Sequence, residues 1–258
     1  MLHRKTANRF RIYHLVLLSA MVYAICVSPL ITQPWVIGEI RRSGGRVGIS
    51  TATLGGIRGQ FASVFPDAFG KIAWVDLAHI PVKRVWLKTV ARSDTITMLW
   101  LQDSGISDAD LRLLAGNRTL RELYLNGNQI TDQGLQNLGN LPSLERLELN
   151  HTEVEHPAIA ADSMSAIWML KLRGTRVSDA AIAEIAAKMP KIREVDFSKT
   201  NVTDVAIRHL SAMRNLESVN LQDSKTSSAE AYHLHAALEP NCTIFDVEGK
   251  CLVAQRYR

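Results

Sequence analysis

Several features that mark an enzyme or a cofactor site are missing from this sequence. It has 3 cysteines in 258 residues, Cys26, Cys242 and Cys251, and none of them has the C-x-x-C spacing typical of a zinc site. The segment from Gly55 to Gly59 is rich in glycine but contains neither G-K-S/T nor G-x-G-x-x-G, which favours a connector over a phosphate loop. No serine, cysteine or lysine has a base at the spacing of a known catalytic motif. We therefore predict no enzyme activity, no cofactor and no metal site.

Histidines are also too scattered to indicate a metal centre. His151 and His156 lie near Glu153 and Glu155, which makes this stretch the one candidate for a weak metal site. Their spacing matches no compact ligand motif, so we expect these four side chains to be ordinary surface groups.

A basic stripe on the main domain is missing as well. The net charge is +5, yet residues 95–258 contain 17 basic and 21 acidic side chains. The positive charge belongs to residues 1–38, which have four basic and no acidic side chains, and to residues 39–94, which have nine basic and four acidic. Generic binding to a phosphate backbone needs a basic surface on the folded domain. The charge distribution therefore predicts no nucleic-acid partner.

An uncharged apolar run follows the basic N-terminal tail. Residues 12–31 would span about 30 Å as a helix, the thickness of a bilayer core. We predict a basic cytoplasmic tail at residues 1–11, a single transmembrane signal anchor at residues 12–31, and the rest of the chain on the extracytoplasmic side. Two alternatives remain, a signal peptide cleaved after Ala24 and an ordinary buried helix. Residues 32–71 are predicted to form a neck and N-terminal cap, with a short helix ending at Arg42 and a brief strand in "RVGIS".

The remaining sequence repeats one template of about 24 residues. In the unit that starts at Leu120, apolar residues fall at offsets 0, 3, 5, 10, 15 and 18, and further units start at residues 72, 96, 144, 167, 192, 216 and 242. The first and last of these, at 72 and 242, are matched in their strand half. Offsets 3 and 5 alternate as in a strand, and offsets 15 and 18 share one helix face. Pairs such as Thr131-Asp132 predict the N-cap and first turn of that helix. In the unit at 144, Pro157 and the loss of the cap pair predict a shorter, irregular return.

The segment "LRELYLNGNQI", which begins at Leu120, resembles the leucine-rich repeat pattern L-x-x-L-x-L-x-x-N-x-L. The following "ITDQGL" resembles the helix-backed subclass of ribonuclease-inhibitor-like and F-box-associated repeats, and the whole layout is similar to bacterial membrane-anchored leucine-rich repeat proteins. This resemblance implies an α/β solenoid: a horseshoe with a parallel concave sheet and a helical convex side, preceded by a single N-terminal transmembrane helix. It places repeats at residues 72–240 and a C-terminal cap at residues 241–258. The asparagine of the pattern is present as Asn128, whereas other units carry hydroxyl residues there, namely Ser104, Thr152, Thr175, Thr200 and Ser224.

In such a horseshoe, offsets 2, 4 and 6 point outward from the concave sheet. These columns cluster aromatic and sulfur side chains in the first three units and mixed charges in the middle ones. Exposed tryptophan and tyrosine dominate many interfaces, so we predict a partner-binding surface here. Its candidate residues are Trp74, Met98, Trp100, Tyr124, Arg146, Glu148, Lys171 and Arg173. The alternatives are that the neck covers the rings or that their exposure is incidental.

The same surface permits more than one function. The first hypothesis is that it binds a protein partner. Carbohydrate or cell-wall binding is the second, with Trp74, Trp100 and Tyr124 as stacking platforms. An F-box-like adaptor for ubiquitin transfer is the third, although it needs a helical module before the repeats. Cys242 and Cys251 could form one disulfide if the domain is exported; the alternative is that they are two small apolar side chains of the C-terminal cap.

Overall fold

A computed structural model describes residues 32–50, 71–157, 165–238 and 242–252 of the chain. The predicted cytoplasmic tail and transmembrane segment, residues 1–31, lie outside these described residues. Among the helices within the described ranges, none combines the length and apolar character needed to cross a bilayer.

The described strands form one ten-stranded sheet in which every strand pairs with its neighbours in chain order. Strands β2 to β9 are parallel, as predicted, because each unit returns to the same edge before the next strand begins. Strand β1 at one end and β10 at the other are antiparallel to their neighbours. The strands are β1 Arg46–Ser50, β2 Lys71–Asp76, β3 Met98–Trp100, β4 Glu122–Tyr124, β5 Arg146–Glu148, β6 Met169–Lys171, β7 Glu194–Asp196, β8 Ser218–Asn220, β9 Thr243–Phe245 and β10 Cys251–Leu252.

The core follows the repeat template column by column. Leu99, Leu123 and Leu147 occupy the central position of their strands, pair in register and are at most 2 % exposed. The first and third residues of each short strand are only partly buried and lie on the opposite side. We call this side, which carries Trp100 and Tyr124, the open face of the sheet. The period of about 24 residues therefore builds one continuous apolar core behind one continuous open face.

Short helices run on the far side of the core. Their lengths vary from 4 to 11 residues, and two return segments contain a 3₁₀ turn, Arg112–Leu114 and Asp204–Ala206. The side of the core opposite the open face therefore combines α-helices with 3₁₀ turns. The helices are α1 Thr32–Arg42, α2 Arg84–Ala91, α3 Asp108–Leu111, α4 Asp132–Leu138, α5 Asp179–Lys188, α6 Ile207–Ala212 and α7 Ser228–Leu238.

The return segments of the units at 72 and 144 differ from those of the other units. The unit at 72 matched only the strand half, yet it has a full helix, α2, with Leu87 and Val90 buried at offsets 15 and 18. The unit at 144, for which an irregular return was predicted, has no α-helix among its described residues between β5 and β6. Residues 158–164 lie outside the described ranges, so the irregular return stays a prediction there.

In several units the turn after the strand is held by a buried polar side chain. The Asn128 amide spans two units: its Oδ1 accepts from the backbone N–H groups of Ser104 and Ile106, at 3.2 and 3.0 Å. Its Nδ2 donates to the carbonyl oxygens of Leu101 and Leu125, at 2.6 and 2.9 Å. In the other units a hydroxyl makes a smaller set of bonds. Thr152, Thr175 and Thr200 each donate to the carbonyl three residues earlier.

The two ends of the sheet are closed differently. At the N-terminal end, α1 buries Val36, Ile37 and Ile40, and the Glu39 carboxylate accepts from Trp86 Nε1 at 2.8 Å. The ion pair that Glu39 forms with Lys83 lowers the pKa of that carboxyl group. The helix ending at Arg42 and the strand in "RVGIS" are both present as predicted.

At the C-terminal end, β9 and β10 form a hairpin. Cys251 is opposite Phe245, three residues beyond Cys242, and both thiols are free. Three residues of strand span about 10 Å, more than the Cα separation that a disulfide requires. The structure therefore does not pair Cys242 with Cys251, which is at odds with the disulfide expected for an exported domain.

Candidate functional site

Three aromatic side chains occupy neighbouring strands at the start of the open face. Trp100 and Tyr124 are paired in register, and their rings stack with centroids 5.4 Å apart and planes 8° from parallel. Trp74 meets Trp100 edge to face, with centroids 6.0 Å apart at 87°. Both geometries are favourable for aromatic pairs. The structure thus brings these three residues together in one connected cluster.

The neck strand β1 forms one wall of this cluster. Gly48 is paired with Trp74, whose indole lies so close that a Cβ on Gly48 would be 2.0 Å from Nε1. Arg46, two residues earlier, forms an ion pair with Asp76, with its Nε 3.0 Å from Oδ2. The neck thus contacts Trp74 from the edge of the sheet. Residues 51–70 lie outside the described part, and the idea that they cover the rings stays a prediction.

A groove of about 540 Å³ opens between this wall and the aromatic cluster. Met98 contributes to its floor, and the buried Oε1 of Gln102 has no hydrogen-bond partner among the described residues. The groove is mostly apolar, with polar groups at one end. Its lining residues are Arg46, Trp74, Asp76, Ala78, Met98, Trp100 and Gln102.

Tyr124 is held in place by a carboxylate on its own strand. Its hydroxyl donates to Glu122 Oε2 at 2.5 Å. Burial of the ring raises the pKa of Tyr124 to about 12, and the hydrogen bond and negative charge of Glu122 act in the same direction. The phenol is therefore protonated at neutral pH and serves as a hydrogen-bond donor.

Arg146 acts on three neighbouring side chains, and through the Tyr124 hydroxyl it lowers the pKa of that phenol. Its guanidinium Nη1 lies 3.7 Å from Glu122 Oε1, and its Cζ lies 4.7 Å from the centre of the Trp168 ring. This second distance is within the range of a cation–π contact. Trp168 was missed in the sequence because it occupies offset 1, a column that was not counted as outward-facing. The available signal was the presence of a large tryptophan at an offset to which the template assigns no core or outward role.

The remaining charged candidates differ in how they are paired. Lys171 Nζ lies 2.5 Å from Glu194 Oε1 and is neutralised by it. Arg173 donates to the hydroxyl of Ser198 at 3.0 Å. Glu148 Oε2 accepts from Asn126 Nδ2 at 2.7 Å, and no basic side chain of the described residues forms an ion pair with it. Lys171, Arg173 and Glu148 thus lie on the open face with different partners: a carboxylate, a hydroxyl and an amide, respectively.

The histidine stretch at 151–156 does not converge on one point. Glu153 and Glu155 each form an ion pair with Arg176, at 3.0 and 3.6 Å. His156 Nδ1 lies 3.6 Å from Glu184 on α5. Within the described part of the chain, no three histidine, cysteine or acidic side chains are grouped closely enough to hold a metal ion.

The units that start at Leu120 and Leu144 are similar to a known family of repeats. Residues 118–156 match the family model described as Leucine Rich repeats (2 copies). They contain β4, α4 and β5, with Leu123 and Leu147 in the core column and Asn128 in the turn. These residues are similar to leucine-rich repeats. The same parallel strand register continues from β2 to β9, so the repeating architecture extends beyond the matched residues.

Two solved structures are similar to the chain at low identity. A leucine-rich repeat protein of Leptospira interrogans shares 19% sequence identity at a TM-score of 0.46, over 64% of this chain and 40% of that one. The mouse RP105/MD-1 complex shares 19% identity at a TM-score of 0.45, over 54% of this chain and 24% of that one. This chain therefore spans less than half the length of either structure. No curated protein matches it.

Proposed function

We propose that the open face of the leucine-rich repeats binds a protein partner and performs no catalysis. Domains of this kind generally mediate protein–protein interaction. The observation that carries the proposal is the connected cluster of Trp74, Trp100 and Tyr124 beside an open groove. Tryptophan and tyrosine dominate binding energies where they fill pockets at an interface. Met98, Arg146, Glu148, Lys171 and Arg173 surround the cluster on the same face.

Partner capture by the full chain tests this function. A photo-activated cross-linking residue at Met98 would report partners that contact the groove. We expect Trp100→Ala and Tyr124→Ala each to weaken capture by at least about tenfold, as for interface hot spots. Trp35→Ala is the matched control, because Trp35 is 55% exposed on α1, away from the sheet. If both open-face variants capture the partner as well as the wild type does, the proposal is wrong.

Carbohydrate binding is less well supported by the same geometry. A sugar ring stacks on the flat face of an aromatic side chain, but Trp100 and Tyr124 turn one face toward each other. An F-box-like adaptor is also less well supported. The described part of the chain before the repeats contributes one helix, α1, and one edge strand, β1. A glycan pull-down run beside the cross-linking experiment distinguishes the first alternative from protein binding.

We also propose that residues 12–31 anchor the chain in a membrane, with residues 1–11 cytoplasmic and the repeats extracytoplasmic. The uncharged length of this segment and the basic tail before it support this topology. Protease is added to cells whose outer barrier has been opened and whose inner membrane is intact. If the repeats are extracytoplasmic, the protease should digest them. Digestion that occurs only after lysis of the inner membrane would show that the repeats are cytoplasmic.

A further inference from the structure

Most carboxylates of the open face lie beside a neighbouring cation, but Glu148 and Asp196 form no ion pair among the described residues. Asp76 pairs with Arg46, Glu122 lies 3.7 Å from Arg146, and Glu194 lies 2.5 Å from Lys171. Glu148 lies between the last two pairs, on β5. Its hydrogen-bond partner is the neutral amide of Asn126, and none of the described basic side chains pairs with it. A negative charge without a counterion therefore lies in the middle of the open face.

Glu148 also lies next to the aromatic cluster. Trp100, Tyr124 and Glu148 occupy the same register position on three consecutive strands, which are about 4.8 Å apart. Trp100 stacks on one face of Tyr124, so the second face of that ring is turned toward β5. The charge of Glu148 contributes to the raised pKa of Tyr124, which is consistent with this proximity.

The neighbouring Arg146 lies beside this position: it is close enough to the Tyr124 hydroxyl to lower the pKa of that phenol, but its cation–π contact is with Trp168. Arg146 is placed over Trp168 at 4.7 Å and within 3.7 Å of Glu122. The guanidinium of Arg146 pairs with Glu122 and not with Glu148. Arg173, the cation that follows the next strand, donates to Ser198. An aromatic face beside an uncompensated carboxylate attracts a cation through both its quadrupole and its charge. An acidic or phosphorylated ligand would instead be repelled by both carboxylates.

We propose that the partner places a basic side chain, arginine or lysine, against the second face of Tyr124 with its charged group at Glu148. This inference rests on the proposed function of the open face and specifies the partner chemistry. The apolar stem of such a side chain packs along the rings of Tyr124 and Trp100, and its charged end reaches the next strand. Tyr124 and Trp100 supply contact area, and Glu148 supplies charge selectivity.

A pair of small probes tests the inference on the full chain. N-acetyl-arginine amide carries the charge, and N-acetyl-citrulline amide has nearly the same shape without it. The readout is the ¹⁵N–¹H indole signal of Trp100, assigned among the 5 tryptophans by Trp100→Phe. We expect a saturable shift with the arginine probe. The citrulline probe should bind about tenfold more weakly, because it lacks both the cation–π contact and the exposed ion pair.

Two matched variants locate the charge. Glu148→Gln keeps an oxygen that accepts from Asn126 but removes the negative charge, and we expect it to weaken binding of the arginine probe about threefold to fivefold. Asp196→Asn removes another open-face carboxylate, two strands away on β7, and we expect a change of less than about twofold. Thermal unfolding of both variants verifies that the fold is retained.

Each other result overturns the inference. Equal binding of the two probes, an unchanged affinity in Glu148→Gln, or an equal loss in both variants would show that Glu148 does not select a cation. Absence of a saturable shift would show that no such site exists. If the probe fails while Trp100→Ala still abolishes partner capture, the open face remains the binding surface and the partner chemistry differs. If both fail, the proposed function fails as well.

Discussion

The carboxylate of Asp108 binds Thr131, the N-cap residue of the next unit. Asp108 Oδ1 accepts from the backbone N–H of Thr131 at 2.9 Å, and Oδ2 accepts from its hydroxyl at 2.6 Å. Asp179 and Thr203 repeat this geometry at 2.8 and 2.6 Å. The acid in the first turn of one helix thus accepts hydrogen bonds from the threonine that begins the next return segment. It links neighbouring units as well as favouring its own helix N-terminus.

Removal of the Asp108 carboxylate should therefore destabilise the solenoid. In Asp108→Ala, the part-buried N–H of Thr131 loses its acceptor, and we expect a loss of about 1–3 kcal/mol in the free energy of unfolding. Urea denaturation measures it. Glu217→Ala is the control, because Glu217 forms an exposed ion pair with Arg193 and should cost less than about 1 kcal/mol. Equal losses in the two variants would contradict the linking role of Asp108.

The repeat template predicted the strands and the core column because both depend only on periodicity. Leu99, Leu123 and Leu147 fall at one offset, and parallel stacking places equal offsets in register. The same template contained the signal for α2, since Leu87 and Val90 are at offsets 15 and 18 of the first unit. That helix was missed because the unit lacks the hydroxyl–acid cap pair used to recognise the others.

Contacts between units were less predictable. The sequence identified Asp108 as a first-turn acid, but it did not indicate that the carboxylate reaches Thr131 across 23 residues. Likewise, the column of residues at offset 4 predicts that Glu148 faces outward, but it does not show which cations lie within 4 Å of its carboxylate. Such pairings depend on side-chain rotamers and on the separation of neighbouring helices, which periodicity does not determine. The unpaired state of Glu148 is therefore visible only in the structure.

Gly48 should be intolerant of a side chain. A methyl group there would overlap the Trp74 indole, so Gly48→Ala must displace either β1 or Trp74. We expect a loss of about 1–3 kcal/mol, typical of overpacking, together with a changed tryptophan emission spectrum. Gly38→Ala is the matched control. Gly38 lies within α1 with open space around it, and alanine there should raise stability by about 0.5–1 kcal/mol. A neutral Gly48→Ala with unchanged emission would show that Trp74 does not pack on β1.

The phenol of Tyr124 should ionise at a higher pH than that of an ordinary tyrosine. Absorbance of the ionised phenol, followed with increasing pH, should show one late step with a pKa of about 12 that is absent in Tyr124→Phe. Because the folded pKa lies above the unfolded value of about 10, the unfolded chain loses this proton first. The associated stability is fully present below pH 10 and is lost as the pH rises to about 12.

Glu122→Gln separates the two causes of this shift. It removes a negative charge and a strong acceptor, so the pKa of Tyr124 should fall toward its ordinary value, although burial keeps it raised. The same absorbance titration measures the change. An unaltered late step in Glu122→Gln would assign the whole shift to burial.

The two C-terminal cysteines should differ in reactivity. Cys251 is exposed, whereas Cys242 is buried, and burial raises the pKa of its thiol to about 11. Since the thiolate is the reactive form, iodoacetamide should modify Cys251 at neutral pH at least about tenfold faster than Cys242. Peptide mass spectrometry measures both rates, with Cys251→Ser as the control. Modification of neither thiol until a reductant is added would instead show that Cys242 and Cys251 are bonded.

Asn128 should be the turn residue that is hardest to replace, even by the threonine that other units use. Threonine at 128 can still donate to the Leu125 carbonyl, but it cannot also accept from the N–H groups of Ser104 and Ile106. Two buried donors then lack acceptors, so Asn128→Thr should cost about 2–4 kcal/mol by urea denaturation. Thr175→Ser is the comparison, because it keeps the hydroxyl bond to Leu172 and loses one methyl group, which costs about 0.8 kcal/mol. If Asn128→Thr is as mild as Thr175→Ser, hydroxyl and amide are equivalent in this turn, and the asparagine does not bridge adjacent units.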